Sequence, residues 1–394
     1  MIEAKSRLNL CKALTNCICD TKPDSPLEID INLARRSSVT SLLYPIIDYV
    51  DDEKKGAIQS MAEQSVNRFY KMSYIARYLQ KILMDNGIIS ILLKGPATAA
   101  YYPVPEYRAF GDIDLLLYDP NDYDKADKLF GEHGIRRTAT QDSHHHTSYL
   151  YDNVCIELHR KVVREFAQKK VNERIDSIFT LEERNICRKK ILGCEYTVLK
   201  PELELLYMTL HMIEHLCNAG FGIKLLCDYV AALNGNSEED TVSQYRGYID
   251  MLGLNTFVLR MSDICVAYLG LSEPVYKQLT GKSANTELIL NDHTVDELLN
   301  EIFDTGLFGS DNSSRIVALN ENGIIGLIKE FHHQTKENFP KASKCPLTWP
   351  GLWIATFVIF VRNNKKIRGI GMLDVIREAD RRGQIIGKMN LWKN

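Results

Sequence analysis

The sequence predicts an α+β fold in which one compact α/β unit lies between two helical regions. Short aliphatic or alternating stretches of strand length begin after Gly87, where they alternate with helical stretches. Before this part, and again beyond Pro201, apolar residues recur at the spacing of amphipathic helices. We therefore expect an N-terminal helical region (1–86), an α/β core (87–200) and a mainly helical C-terminal domain (201–394).

The composition is that of an ordinary globular chain. Of the 394 residues, 45% are hydrophobic and 25% are charged, and the formal net charge is −3. This balance gives no global reason to bind nucleic acid or an anionic membrane, although a locally basic segment still allows either. The ten cysteines include no CxxC pair, which is typical of a cytoplasmic protein with reduced thiols. The longest apolar run, 352–361, is about half of the roughly 20 residues that a membrane-crossing helix needs.

The N-terminal region is predicted to be helical from Ser37 to about Asp85. The apolar residues of "QSVNRFYKMSYIARYLQKILMDNG" lie near one helical face, and Asn86-Gly87 is a typical helix stop. The aliphatic run 88–93 then predicts a buried strand that enters a sharp turn at "KGP".

The rest of the core continues with alternating elements. "ATAAYY" predicts a short helix, and "VPEYRAFG" predicts a loop that Gly111 closes. "DIDLLLY" predicts a second strand, and "DYDKADKLFGEHG" predicts a helix that Gly134 ends. In "TSYLYDNVCIELHRKV" two strands are joined by Asp152-Asn153, which favours a tight hairpin turn. Beyond Pro201 we expect helices, interrupted by loops such as 306–310.

Two carboxylates one residue apart distinguish the second strand. Because side chains alternate along a strand, Asp112 and Asp114 share one face while Ile113 points into the core. The two carboxylates lie about 6 to 7 Å apart and repel each other, which raises one pKa unless a cation neutralises them. Mg²⁺ or Mn²⁺ suits such an all-oxygen site. The alternative for Asp-Ile-Asp is an edge strand with a solvated polar face.

The hairpin supplies a third carboxylate. In "VCIELHRK" the alternation puts Glu157 and His159 on the face opposite the apolar residues. If this strand lies beside that of Asp112, Glu157 completes a triad that can hold two metal ions. Upstream, Lys94 and Gly95 end a strand, where backbone N–H groups and an ammonium can hold a phosphate. Lys-Gly is also a common turn, so it indicates a phosphate site only because it follows one strand and precedes the strand of Asp112 and Asp114.

The ordered set "LLKG", "YRAFGDIDLLL" and "CIELH" resembles the nucleotidyltransferases of the DNA polymerase beta superfamily, most closely a bacterial branch described as uncharacterised nucleotidyltransferases. The resemblance covers residues 88–159 and extends more loosely into the helical part. It implies a polymerase-beta-like core, a small mixed sheet backed by helices. It also implies transfer of a nucleoside monophosphate to a hydroxyl or similar acceptor, with release of pyrophosphate.

The resemblance implies a role for each matching residue. Asp112 and Asp114 match the metal-binding pair. Glu157 falls where a third catalytic carboxylate binds one metal and accepts the proton of the acceptor, and Gly95 matches the glycine of the phosphate turn. The implied cofactor is Mg²⁺ or Mn²⁺, and the implied substrate is a nucleoside triphosphate, with ATP as the default. The superfamily usually has Gly-Ser or Gly-Gly where this chain has Gly95-Pro96, which leaves the base open.

Further residues near these motifs are candidates for nucleotide contacts. Arg108 offers paired donors to a phosphate, with a structural ion pair as the alternative. His159 orients Glu157 or contacts substrate, unless it is a strand-end histidine satisfied by a neighbour. The expected nucleotide-binding set is Lys94, Gly95, Arg108, Gly111 and His159.

Two groups of histidines have structural alternatives. His144, His145 and His146 are consecutive, so they point in different directions and are not expected to form one metal site, although they can line the mouth of the active site. His211 and His215 are spaced i, i+4, which suits a zinc pair, but the sequence shows no third ligand. Helix packing or contacts on the substrate side are the alternative for this pair.

Two features of the C-terminal half also allow more than one interpretation. Lys224 and Asp228 are spaced i, i+4 and predict an internal ion pair, with acceptor or nucleotide contact as the alternative. The basic tail that starts at Arg362 could dock, together with Trp349, Trp353 and Phe357, on a membrane surface or an RNA. A solvated basic helix face is the more common outcome of such a pattern.

Three functions are compatible with these motifs. The first is transfer to a small molecule or a metabolite carrier, and the second is transfer to a macromolecule such as an RNA end or a protein side chain. The third is a non-catalytic nucleotide-binding protein that keeps the fold, which the presence of all three carboxylates disfavours. The weak overall basicity argues against RNA. The oligomeric state does not follow from the sequence.

Overall fold

The computed structural model describes residues 2–142, 146–166, 168–180, 182–218, 220–305, 345–363 and 383–393, together with positions 332, 335, 336, 339, 342 and 381. The N-terminal region is helical, as predicted. Its helices are α1 (Ile2–Ile18), α2 (Ile31–Arg36), a 3₁₀ segment (Ser41–Tyr49) and α3 (Asp52–Asp85). The predicted stop of α3 is confirmed, because the chain leaves the helix at Asn86 and Gly87 has a φ of +74°.

A five-stranded mixed sheet forms the core, in the order β1-β2-β5-β4-β3. Its strands are β1 (Ser90–Leu92), β2 (Asp112–Leu117), β3 (Arg136–Asp142), β4 (His146–Tyr151) and β5 (Val154–His159). β2 and β5 run parallel, and the other neighbours are antiparallel. The small mixed sheet that the resemblance implied is therefore confirmed.

Short elements connect and extend this sheet. They are α4 (Pro96–Ala99), α5 (Tyr123–Glu132), α6 (Lys169–Ile178), β6 (Ile186–Ile191) and β7 (Cys194–Leu199). β6 and β7 form a separate hairpin. The predicted turn between β4 and β5 is confirmed, since Asp152 and Asn153 have φ values of 48° and 59°, and a tight two-residue turn of this kind requires positive φ at both positions.

The two faces of the sheet differ in character. One face is apolar and packs against α3 and α5 in a hydrophobic cluster. Its members from the two parallel strands are Ile113, Leu115, Leu117, Val154, Ile156 and Leu158. The alternation of side chains then puts Asp112, Asp114, Glu157 and His159 on the opposite face. There Leu116 joins the hydrophobic cluster of the C-terminal helices.

The C-terminal part is mainly helical, as predicted. Its helices are α7 (Pro201–Asn218), α8 (Ile223–Gly235), α9 (Glu239–Leu252), α10 (Asn255–Tyr268), α11 (Glu273–Thr280), α12 (Thr286–Leu290), α13 (His293–Thr305) and α14 (Trp349–Asn363). Within the described ranges, none of these helices combines the length and the hydrophobicity needed to cross a bilayer. The expected loop 306–310 and residues 364–380 of the basic tail lie outside the described residues.

Candidate active site

Three carboxylates converge on the polar face of the sheet. In the parallel pairing of β2 and β5, Asp114 lies opposite Glu157, and Asp112 lies opposite Cys155. Asp112, Asp114 and Glu157 each offer a ligand oxygen, and these atoms lie within 4.8 Å of one another. The strands of Asp112 and Glu157 are therefore neighbours, as the carboxylate triad required. The edge-strand alternative is wrong because β2 lies between β1 and β5.

The carboxylate cluster, meaning Asp112, Asp114 and Glu157, is only partly neutralised by the protein. Lys94 Nζ and His159 Nε2 each lie 3.2 Å from Oδ1 of Asp114. Asp114 is fully buried, and its other oxygen, Oδ2, has no hydrogen-bond partner among the described residues. A buried acceptor without a partner costs free energy. This oxygen and the all-oxygen donor set fit a hard divalent cation.

The pKa values of the cluster reflect this crowding. The negative charge of Asp114, together with burial, raises the pKa of Asp112 to about 6. Burial would also raise the pKa of Asp114, but Lys94 and His159 outweigh burial and lower it. Burial opposes a charge on His159, yet its hydrogen bonds to Asp114 and Glu157 raise its pKa to about 9. Of the three carboxylates, Asp112 therefore has the highest pKa.

The turn after β1 depends on one glycine. Gly95 has a φ of +70° and a ψ of −119°, a conformation that L side chains rarely adopt. A Cβ at this position would lie 3.4 Å from the Phe110 ring. The turn orients Lys94 toward Asp114 and begins α4 at Pro96, so the predicted phosphate turn lies next to the carboxylate cluster.

Gly111, another predicted nucleotide contact, lies at the entrance to β2. Its carbonyl oxygen accepts a hydrogen bond of 2.7 Å from Nη2 of Arg68, and the carbonyl of Phe110 accepts one of 2.7 Å from Nε of the same side chain. Arg68 on α3 therefore fixes the backbone just before Asp112. No local pattern in the sequence indicates this contact, because the two segments are far apart along the chain.

Arg108 is part of a buried network of hydrogen bonds. Its Nε and Nη2 donate to Oδ1 and Oδ2 of Asp228, each at 2.7 Å, and Tyr102 donates to Oδ1 at 2.8 Å. The structure therefore places Arg108 in the ion pair that was the alternative to a phosphate contact. The predicted pair of Lys224 with Asp228 is not a direct contact among the described residues. Asp228 pairs with Arg108 at 2.7 Å, while its negative charge still acts on Lys224.

Lys224 is a buried cation at the start of α8. Burial, together with the positive charge of Arg108, lowers the pKa of Lys224 to about 8, and Asp112 is among the negative charges that act on it. An ammonium in this position can meet a phosphate without first giving up much water. The alternative interpretation of Lys224, contact with a nucleotide or an acceptor, is thus compatible with its position.

The i, i+4 histidines of α7 lie beside Lys94. His211 Nε2 is 3.4 Å from Lys94 Nζ and 3.1 Å from His215 Nε2. Burial and the nearby charge of Lys94 lower the pKa of His215 to about 3. These histidines therefore border the site, which their spacing alone did not show.

His146 is a neighbour of the site, although the sequence argument expected no metal site from the three consecutive histidines. It lies on β4, with Nε2 3.7 Å from Oε1 of Glu157, and its ring centroid is 5.1 Å from that of His159. The argument from three consecutive histidines ignored that one of the three can share a face with the neighbouring strand. The residues 143–145, which include His144 and His145, lie outside the described residues.

Comparison with known proteins gives one finding. The model of a family described as uncharacterised nucleotidyltransferase matches residues 30–270. This range is more than half of the chain, and it contains the whole sheet, the β6–β7 hairpin and the helices α2 to α10. Neither the curated proteins nor the solved structures include a match to this chain.

Proposed function

Because the chain belongs to the family of uncharacterised nucleotidyltransferases, we propose that it transfers a nucleoside monophosphate from a nucleoside triphosphate to a hydroxyl-type acceptor. Pyrophosphate is the leaving group. The observation that carries this proposal is the convergence of Asp112, Asp114 and Glu157 on one face of the sheet. Membership of the polymerase beta superfamily is part of the proposal, and the order of the turn, the Asp-Ile-Asp strand and the Glu157 strand supports it.

The carboxylate cluster is the proposed metal site. Its oxygens, including the unpartnered Oδ2 of Asp114, would hold Mg²⁺ or Mn²⁺. When bound, such an ion neutralises the triphosphate and lowers the pKa of the attacking hydroxyl.

The chain's own residues bind and orient the substrates. The backbone of the Gly95 turn and the ammonium of Lys94 hold phosphate oxygens, and Lys224 supplies a second positive charge. A new bond forms between the acceptor oxygen and the α-phosphorus as the bond to the pyrophosphate breaks. Burial acts to raise the pKa of Glu157, but the hydrogen bond to His159 and the charges of His146 and His159 together lower it. Glu157 accepts the proton of the acceptor hydroxyl.

The acceptor is proposed to be a small molecule or a metabolite carrier, with ATP as the first nucleotide to test. Transfer to an RNA end or a protein side chain remains the alternative, and the net charge of −3 gives it no support. The cytoplasm is the proposed location, where buried thiols such as those of Cys11, Cys227 and Cys265 stay reduced.

Pyrophosphate release tests the proposal directly. The full chain is incubated with each nucleoside triphosphate, Mg²⁺ and a metabolite extract, and the modified product is identified by mass spectrometry. We expect release by the native protein and by Asp85→Asn, a matched control because Asp85 forms only an exposed pair with Lys81. We expect no release by Asp112→Asn. Equal release from the native protein and Asp112→Asn contradicts the proposal.

A further inference from the structure

The polar face of the sheet carries a second set of metal-ligand groups. His146 on β4 lies opposite His159 on β5 in the antiparallel pairing. Glu157 precedes His159 by two residues and therefore shares its face. His146, Glu157 and His159 each offer a ligand atom, and these atoms lie within 4.8 Å of one another. Glu157 is the one residue that this set shares with the carboxylate cluster.

The distances in this set are close to those around a metal ion. His146 Nε2 lies 3.7 Å from Oε1 of Glu157, and His159 Nε2 lies 3.4 Å from Oε2. Bonds of about 2.0 to 2.2 Å at a tetrahedral ion separate its ligand atoms by roughly 3.3 to 3.6 Å. The observed separations match this range within a few tenths of an ångström. Both imidazoles are already buried, so little further ordering is needed.

The donor chemistry differs from that of the carboxylate cluster. Two imidazoles and one carboxylate are the ligand set of zinc sites that keep an open fourth position. Imidazole nitrogen favours zinc and its transition-metal neighbours, whereas an all-oxygen set favours magnesium. The two sets therefore select different ions on one face of the sheet.

A second observation supports a cation here. Asp114, which is fully buried, places Oδ1 3.2 Å from His159 Nε2, while its Oδ2 has no hydrogen-bond partner among the described residues. The ligand set therefore lies next to a buried negative charge that the protein leaves partly unpaired. A cation held by His159 and Glu157 would be attracted to this carboxylate.

We propose that His146, Glu157 and His159 bind one Zn²⁺ ion at a site that shares only Glu157 with the carboxylate cluster. On binding, the Nε2 proton by which His159 contacts Asp114 and Glu157 is released to solvent. Because Glu157 belongs to both sets, zinc binding is linked to the binding of magnesium and nucleotide. Two ions that share a carboxylate lie about 3.5 to 4 Å apart. The identity of the neighbouring magnesium site rests on the proposed function, but zinc binding itself does not.

The histidine pair of α7 is the competing site. His211 and His215 have their Nε2 atoms 3.1 Å apart, but Lys94 Nζ lies only 3.4 Å from His211. An adjacent ammonium repels a divalent cation. The set around Glu157 contains a carboxylate of its own and adjoins that of Asp114, whose charge offsets the Lys94 ammonium 3.2 Å from its Oδ1, and we therefore assign zinc to it.

The zinc content of the protein and its variants tests the proposal. The metal-free full chain is dialysed against micromolar Zn²⁺, and bound zinc is determined by elemental mass spectrometry for the native protein, His146→Gln, His159→Gln, His211→Gln and His293→Gln. His293 is an exposed surface histidine and is the matched control. We expect about one Zn²⁺ per chain in the native protein, His211→Gln and His293→Gln. We expect at least tenfold weaker binding in His146→Gln and His159→Gln, with melting temperatures recorded to confirm folding.

Three results overturn the assignment. These are no bound zinc in the native protein, native-like zinc content in both His146→Gln and His159→Gln, or loss of zinc in His211→Gln alone. Asp112→Asn separates this inference from the proposed function, because it should lose pyrophosphate release and still bind zinc. Zinc binding in an inactive protein therefore contradicts only the transferase proposal.

Discussion

The protein buries two clusters of charged side chains and neutralises them in opposite ways. In the Arg108 network, which consists of Arg108, Asp228 and Tyr102, both carboxylate oxygens of Asp228 accept hydrogen bonds from the guanidinium. In the carboxylate cluster, three acids share the neighbouring cations Lys94 and His159, and within the described part of the chain one oxygen of Asp114 has no hydrogen-bond partner.

The difference shows that burial of charge does not by itself indicate function. Both oxygens of the Asp228 carboxylate accept hydrogen bonds from Arg108, so removal of this carboxylate would leave a buried guanidinium without its counter-charge. In the carboxylate cluster, Oδ2 of Asp114 has no hydrogen-bond partner among the described residues, and a bound cation can neutralise it. Matched substitutions in the two clusters should therefore change different properties of the protein.

Replacement of Asp112 gives the largest expected effect. Asp112→Asn removes a metal ligand, and we expect pyrophosphate release to fall by about 10⁴-fold, which corresponds to about 5.5 kcal/mol. Stability should not fall, because the like charge beside Asp114 is removed. Steady-state kinetics and urea unfolding measure the two properties. Activity within tenfold of native would show that the cluster is not the site of the chemistry.

The same change at Asp228 should give the opposite pattern. Asp228→Asn leaves Arg108 as an uncompensated buried charge, which costs about 3 to 5 kcal/mol of unfolding free energy. Asp85→Asn, at an exposed pair, should cost less than about 0.5 kcal/mol. Urea denaturation compares the three proteins. A loss below about 1 kcal/mol for Asp228→Asn would mean that the network is not structural.

The glycine of the phosphate turn should give an intermediate effect. Gly95→Ala forces a side chain into a φ of +70° and against Phe110 at 3.4 Å, which costs on the order of 2 kcal/mol. It should also weaken nucleotide binding, because the turn moves. Gly131→Ala in α5 is the control, since a Cβ there meets nothing within 4 Å and should be neutral or stabilising. Equal effects of the two changes on stability would remove the argument for strain.

The smallest expected effect is the pH dependence of magnesium binding. Metal binding requires ionised Asp112, whose pKa is raised to about 6 in the metal-free protein. The affinity for Mg²⁺ should therefore be constant above this pH and fall by about tenfold per pH unit below it, or about 1.4 kcal/mol. Calorimetric titration between pH 5 and 8 measures this slope. A constant affinity across the range would mean that Asp112 does not take up this proton.

The sequence predicted the parts of the site that depend on local periodicity. The alternation in β2 and β5 assigned Asp112, Asp114 and Glu157 to one face, because aliphatic neighbours mark the opposite face. β3 was missed because "RRTATQD" contains no aliphatic alternation and forms a sheet edge. The β6–β7 hairpin was missed because Arg188, Lys189 and Lys190 hide its pattern, although Leu192-Gly193 has the positive φ values of a tight turn.

Contacts between distant segments could not be predicted from one sequence. Arg108 and Asp228 are 120 positions apart, so the i, i+4 spacing of Lys224 did not indicate this direct pair. His146 meets Glu157 only through the register of β4 on β5. The division into three domains stays a prediction.

The pairing of β2 with β5 has a consequence for how an inactive sample should be interpreted. A slip of one residue would drive Glu157 into the hydrophobic interior and expose Ile156, so a misaligned sheet would not survive as a stable protein. Correct assembly of the three acids is thus guaranteed by the same packing that makes the chain fold. Inactivity of a well-folded preparation that is supplied with metal and nucleotide would therefore count against the proposed transferase activity and not against the assembly of the cluster.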